Sequence, residues 1–89
     1  MKLQKNTVAK ILKDISLLEE FGSRLSMPHS KKIAGDIYEL RTRGEQEVRI
    51  FYTIKNNTAT FLHGFVKKTN KTPRREIKTA LERLKNLDI

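Results

Sequence analysis

The chain has 89 residues, of which 37% are hydrophobic, with nineteen Lys and Arg, ten Asp and Glu, two His and no Cys. That length holds one domain with a thin core, the absence of cysteine excludes disulfides and thiolate metal sites and fits a cytoplasmic protein, and no apolar run reaches the roughly 18 residues of a membrane span. A formal net charge of +9 exceeds what solubility needs and directs the domain toward polyanions: nucleic acid first, an acidic protein second, a membrane surface third.

Residues 1–12, MKLQKNTVAKIL, are too polar for a secretory signal. Residues 7–21 predict a helix, because Val8, Ile11, Leu12, Ile15, Leu18 and Phe21 fall on one stripe. Asn6 or Thr7 can cap its start and Gly22 can end it, with Lys10, Lys13 and Asp14 on the outer face. Residues 23–36 read as a basic connector containing Pro28 and Gly35. Three strands follow at 37–42, 47–54 and 59–67, joined by turns at RGEQ and KNNT, which implies an antiparallel meander. The last helix covers 73–87, with Thr72 as N-cap, Pro73 as first residue, and Ile77, Ala80, Leu81, Leu84 and Leu87 as its buried stripe.

The expected fold is α+β: an antiparallel meander with an N-terminal and a C-terminal helix packed on one face. Strand alternation puts Tyr38, Leu40, Ile50, Tyr52, Ile54, Phe61 and His63 on the covered face. It puts Glu39, Arg41, Arg49, Phe51 and Leu62 on the open face, rimmed by Lys67, Lys68 and Lys71. Such a cationic groove suits a phosphate backbone, with Phe51 available to stack a base. The same arginines can equally pair with Glu39 and Glu47 on a solvated sheet face. His29 and His63 lack the spacing of a metal site, and no nucleophile–histidine–carboxylate set or phosphate loop is present.

The segments MPHSKKI (27–33), IYELR (37–41), VRIFY (48–52) and LHGFVKKTNKTPRREI (62–77), behind the helical AKILKDISLLEEFG (9–22), resemble the HigB-like, phage-derived branch of the RelE/ParE toxin superfamily. The resemblance runs collinearly through nearly the whole chain as a single toxin domain. It implies a RelE-like fold and the toxin of a type II toxin–antitoxin pair, a metal-independent endoribonuclease without cofactor that cuts mRNA in the ribosomal A site. Its implied partners are mRNA, ribosomal RNA and a helix-turn-helix antitoxin of the HigA type. By position it implies catalytic roles for Arg49, Arg41, Lys67 and Lys68, RNA contacts from Lys71, Lys31, Lys32, Phe51 and Glu39, and secondary roles for Tyr38 and His63. The resemblance further implies a strand and helical segment that family members usually carry ahead of AKIL; its expected absence here would free a sheet edge for homodimer or antitoxin pairing. The alternative is a shortened, non-catalytic module that binds antitoxin or RNA. A stand-alone DNA-binding regulator is disfavoured, since the sheet separates the two helices.

Overall fold

The computed structural model describes residues 2–87. Helix α1 spans Lys5–Phe21 and stops at Gly22, whose φ of 54° suits a residue without Cβ. It starts earlier than expected, and neither Asn6 nor Thr7 caps it. Its first N–H groups lie beside the Arg43–Glu47 loop, where the Gln46 side chain accepts from the Gln4 amide (2.9 Å) and donates to the Lys2 carbonyl (3.1 Å). The buried stripe of α1 is Thr7, Ile11, Asp14 and Leu18, while Val8, Leu12 and Phe21 stay exposed. Asp14, expected on the outer face, is therefore an inward residue. Its carboxylate accepts a 2.7 Å hydrogen bond from the buried Thr42 hydroxyl, which is the pairing a buried carboxylate needs.

The sheet has four antiparallel strands in the order β1-β2-β3-β4: β1 Ser30–Ala34, β2 Ile37–Thr42, β3 Val48–Lys55 and β4 Thr58–Val66. The meander is as expected, but the segment read as a connector supplies an extra edge strand. Gly35, at φ 51°, and Asp36 turn β1 into β2. Asn56 and Asn57 both take positive φ, the backbone of a type I′ hairpin turn that asparagine tolerates. Helix α2, Arg74–Lys85, closes the chain. Pro73 occupies its N-cap position, because the Thr72 hydroxyl is engaged elsewhere, on Glu39.

The two helices do not share a face. Leu18 of α1 packs with Tyr38, Leu40, Ile50 and Tyr52. Ala80, Ile77 and Leu84 of α2 pack with Ile37, Phe51, Leu62 and Phe65. Tyr38 pairs with Tyr52 and Leu40 with Ile50, whereas Glu39 pairs with Phe51 and Arg41 with Arg49, so the two sets lie on opposite sides of the sheet. The second side is mixed. One end is apolar and buried under α2; the other holds Glu39, Arg41 and Arg49. The expectation of a single covered face fails because Ile37, Phe51, Leu62 and Phe65 form a second apolar patch that water would penalise.

A bulge in β4 completes the arrangement. Ile54 and Tyr52 pair with Ala59 and Phe61 as expected, but Phe51 then pairs with His63, leaving Leu62 as the extra residue. Beyond the bulge, Ile50 faces Gly64 and Arg49 faces Phe65. His63 thus joins the face of Phe51 and α2, where its Nε2 lies 3.3 Å from Glu76 and its Nδ1 3.4 Å from Arg83. Phe51 is 0% exposed and stands edge-on to Phe65 with ring centroids 5.4 Å apart, so it is a core residue and not a base-stacking platform. Phe51→Ala is therefore expected to cost about 3–5 kcal/mol in urea denaturation. Phe61→Ala, at a ring that is 47% exposed, should fall well short of that.

Candidate functional site

The residues singled out on the polar end of the α2 face do converge. Antiparallel pairing of β2 with β3 places Arg41 opposite Arg49, and Lys67, just past the end of β4, is fixed beside them by its amide, which donates to the Glu47 carbonyl at 2.6 Å. Arg43 and Glu47 join from the β2–β3 loop, and Thr69 and Asn70 from the loop that leads to α2. Together these side chains line a cleft of about 300 Å³. A larger cavity of about 680 Å³ lies between the end of α1 and the β3–β4 turn, but its lining has Glu19 and Glu20 and no cation. The smaller cleft carries the charge that an anion would need.

Arg49 forms its floor. It is 2% exposed, with Nη1 donating to the Val48 carbonyl (2.9 Å) and Nη2 to Glu47 (3.1 Å). Glu39, 3% exposed, sits between the two arginines, its Oε1 3.6 Å from Arg41 Nε and 3.7 Å from Arg49 Nε. Both distances exceed a hydrogen bond, and neither Nε–H has a hydrogen-bond partner among the described residues, so charge holds this trio. The other oxygen of Glu39 accepts from the Thr72 hydroxyl at 3.0 Å, which fastens the β4–α2 loop to the sheet. Glu39 is thus buried beneath the arginines and makes no surface for RNA, contrary to the role expected of it.

Electrostatics distinguish the cleft's members. Burial lowers the Lys67 pKa, and the positive charge of Arg49 lowers it further against the opposing pull of Glu39. The Arg41 pKa is also lowered, by burial and then by Arg43 and Arg49, although a guanidinium keeps its proton. Burial alone would raise Glu47, but the Gly44 amide and the Arg49 guanidinium hydrogen-bond its carboxylate and hold it below the usual range. Two carboxylates therefore face four cations, and the surplus is positive. A phosphate can be held there by Arg41, Arg43 and Lys67, with Lys67 also able to exchange a proton.

The remaining expected residues lie outside this cleft. Lys68 turns to the opposite side and lines a shallow hollow with Lys2, Gln46 and Gly64. Lys71 is exposed in the β4–α2 loop, where its carbonyl accepts from Thr69. Lys31 and Lys32 are exposed on β1, paired with Glu39 and Tyr38. Tyr38 stacks on Tyr52 on the α1 side, and His63 is held under α2. Arg43 was missed by the sequence reading, although Arg41-x-Arg43 continues the alternation of β2. Thr69 and Asn70 carried no such signal.

Removing Arg49 should leave Glu39 buried with one arginine and the Thr72 hydroxyl. Arg49→Ala is expected to cost about 3–5 kcal/mol in urea denaturation, and adding Glu39→Gln should restore part of that loss. Equal stability of the single and double variants would show that the pair is not coupled.

The family whose model is described as phage derived protein Gp49-like (DUF891) matches residues 1–85 of the chain. No curated protein matches it.

Proposed function

We propose that this chain, which belongs to the Gp49-like family of phage-derived, toxin-like proteins, is the toxin of a type II toxin–antitoxin pair and acts as a ribosome-dependent, metal-independent mRNA endonuclease of the HigB type. The observation that carries the reading is the convergence of Arg41, Arg43, Arg49 and Lys67 on one open cleft with only two carboxylates against them. In the reaction the 2′-oxygen of a ribose forms a bond to the adjoining phosphorus and the bond to the 5′-oxygen breaks. The products are a 2′,3′-cyclic phosphate and a 5′-hydroxyl. Lys67, with its lowered pKa, receives the 2′-hydroxyl proton in its neutral form, and the departing 5′-oxygen takes a proton from water. Arg41 and Arg43 meet the charge that builds on the phosphorane, and Arg49 strengthens that field from below.

The protein acts in the cytoplasm on translated messages and is neutralised by a helix-turn-helix antitoxin. Lys71, Lys31 and Lys32, exposed at the edges, reach the RNA backbone around the cut. A non-catalytic module that binds RNA or antitoxin is the competing reading, and the engagement of Arg49 by Glu47 and Val48 is what favours it.

Induction of the chain in bacteria should arrest growth and create new 5′-hydroxyl ends within translated messages. Lys67→Ala should remove both effects while the protein stays folded and soluble. Growth arrest without new ends would favour the non-catalytic module. In a purified ribosome assay, the cleavage rate should rise with pH as Lys67 loses its proton and then level off. Lys67→Arg should lose that rising limb and about 10²-fold or more of the rate.

A further inference from the structure

The cationic cleft does not end at Arg41 and Arg43. The same two side chains line a second hollow of about 290 Å³ on the α1 side, completed by Lys10, Lys13 and His29. We infer that this hollow is a second phosphate subsite, in which Lys10, Lys13 and Arg43 hold a backbone phosphate of the same RNA strand whose scissile phosphate lies at Arg41 and Lys67. The inference rests on the proposed RNA-cleaving function and extends it from one phosphate to a strand direction.

Three features support a built surface. First, the subsites are joined: Arg41 and Arg43 are two residues apart, roughly 7 Å along an extended chain, and each borders both hollows. Second, α1 is fixed to the loop that carries Arg43, because Gln46 bonds to both Gln4 and Lys2. Third, Lys10 lies across Gly44 in that loop, so closely that a Cβ at position 44 would stand 2.5 Å from its Nζ. The hollow's one carboxylate, Asp14, is turned inward. It accepts from Thr42 at 2.7 Å and lies 3.7 Å from His29 Nδ1, which leaves Lys10 and Lys13 without a carboxylate partner among the described residues. Arg43 reaches Glu47 only at 3.9 Å, in an exposed pair of the kind that contributes little. An extended polyanion passing from Lys67 over Arg41 and Arg43 to Lys10 and Lys13 meets cations throughout.

The test uses non-cleavable, 2′-deoxy-substituted oligonucleotides of two and eight nucleotides and the full chain as wild type, as Lys10→Gln/Lys13→Gln and as Lys67→Ala. Both substitutions of the double variant are on exposed helical positions, so the fold is retained. The double variant should bind the dinucleotide as wild type does. For the octamer its log Kd against log salt slope should fall by about 0.7, the value for one lost phosphate contact on a single strand. An unchanged octamer slope in the double variant would overturn the second subsite while leaving the first intact. Loss of dinucleotide and octamer binding by the same factor would also overturn it, since the lysines would then act only through general charge. Failure of wild type to bind either oligonucleotide in a way that depends on Lys67 would instead defeat the reading on which the inference rests.

Discussion

A carboxylate in the middle of a sheet, 3% exposed, is the constraint around which this domain is arranged. Leaving Glu39 charged and unpaired there would cost several kcal/mol. Arg41 from its own strand, Arg49 from the next and Thr72 from the loop before α2 supply the compensation. In doing so they set the distance between the two arginines, fill the floor of the cleft and draw the lysine-bearing loop onto the sheet. The same need accounts for the N-terminus of α2. Thr72 does not cap that helix because its hydroxyl is committed to Glu39, and Pro73, which has no N–H to satisfy, takes the N-cap position.

The apolar residues divide the same sheet face into two regimes. Ile37, Phe51, Leu62 and Phe65 attract α2, and the helix covers them and stops. Where the side chains become Glu39, Arg41 and Arg49, no apolar surface is left to cover. The cleft is therefore the uncovered remainder of a half-covered sheet. On the opposite side α1 covers the Tyr38, Leu40, Ile50 and Tyr52 patch and carries its exposed lysines past the sheet edge to the arginines.

Much of this was readable from residue order. The Gly22 stop, the KNNT turn and the alternation of β2 and β3 were correct, and that alternation alone put Glu39, Arg41 and Arg49 on one side; the period of α1 found the helix and its inward Ile11 and Leu18, but Val8, Leu12 and Phe21 of the expected stripe face outward. Strand β1 escaped because two consecutive lysines hide its alternation, although Gly35-Asp36 between SKKIA and IYELR is a hairpin signal. Asp14 was misplaced because a charged residue reads as an outward one until its partner Thr42, 28 positions away, is known. The fate of Phe51 likewise depended on a helix that periodicity could describe but not assign to a side. Membership of the Gp49-like family agrees with the resemblance seen in the C-terminal motif, at the level of a toxin-like, phage-derived family.

Leu62, the extra residue in β4, acts as a phase shift in the chain. Ahead of it, odd-numbered side chains such as Ala59 and Phe61 lie on the α1 side; beyond it, His63 and Phe65 lie on the other, and Lys67 follows them into the cleft. An unbroken ladder would have sent Lys68 toward the arginines and Lys67 away. Which of two adjacent, chemically identical lysines enters the cleft is thus decided by counting, five residues upstream, and not by anything about the lysines. The gene should accordingly bear amino-acid exchanges at 58–61 far better than the loss or gain of a single codon, because only the latter would transpose every side chain that follows.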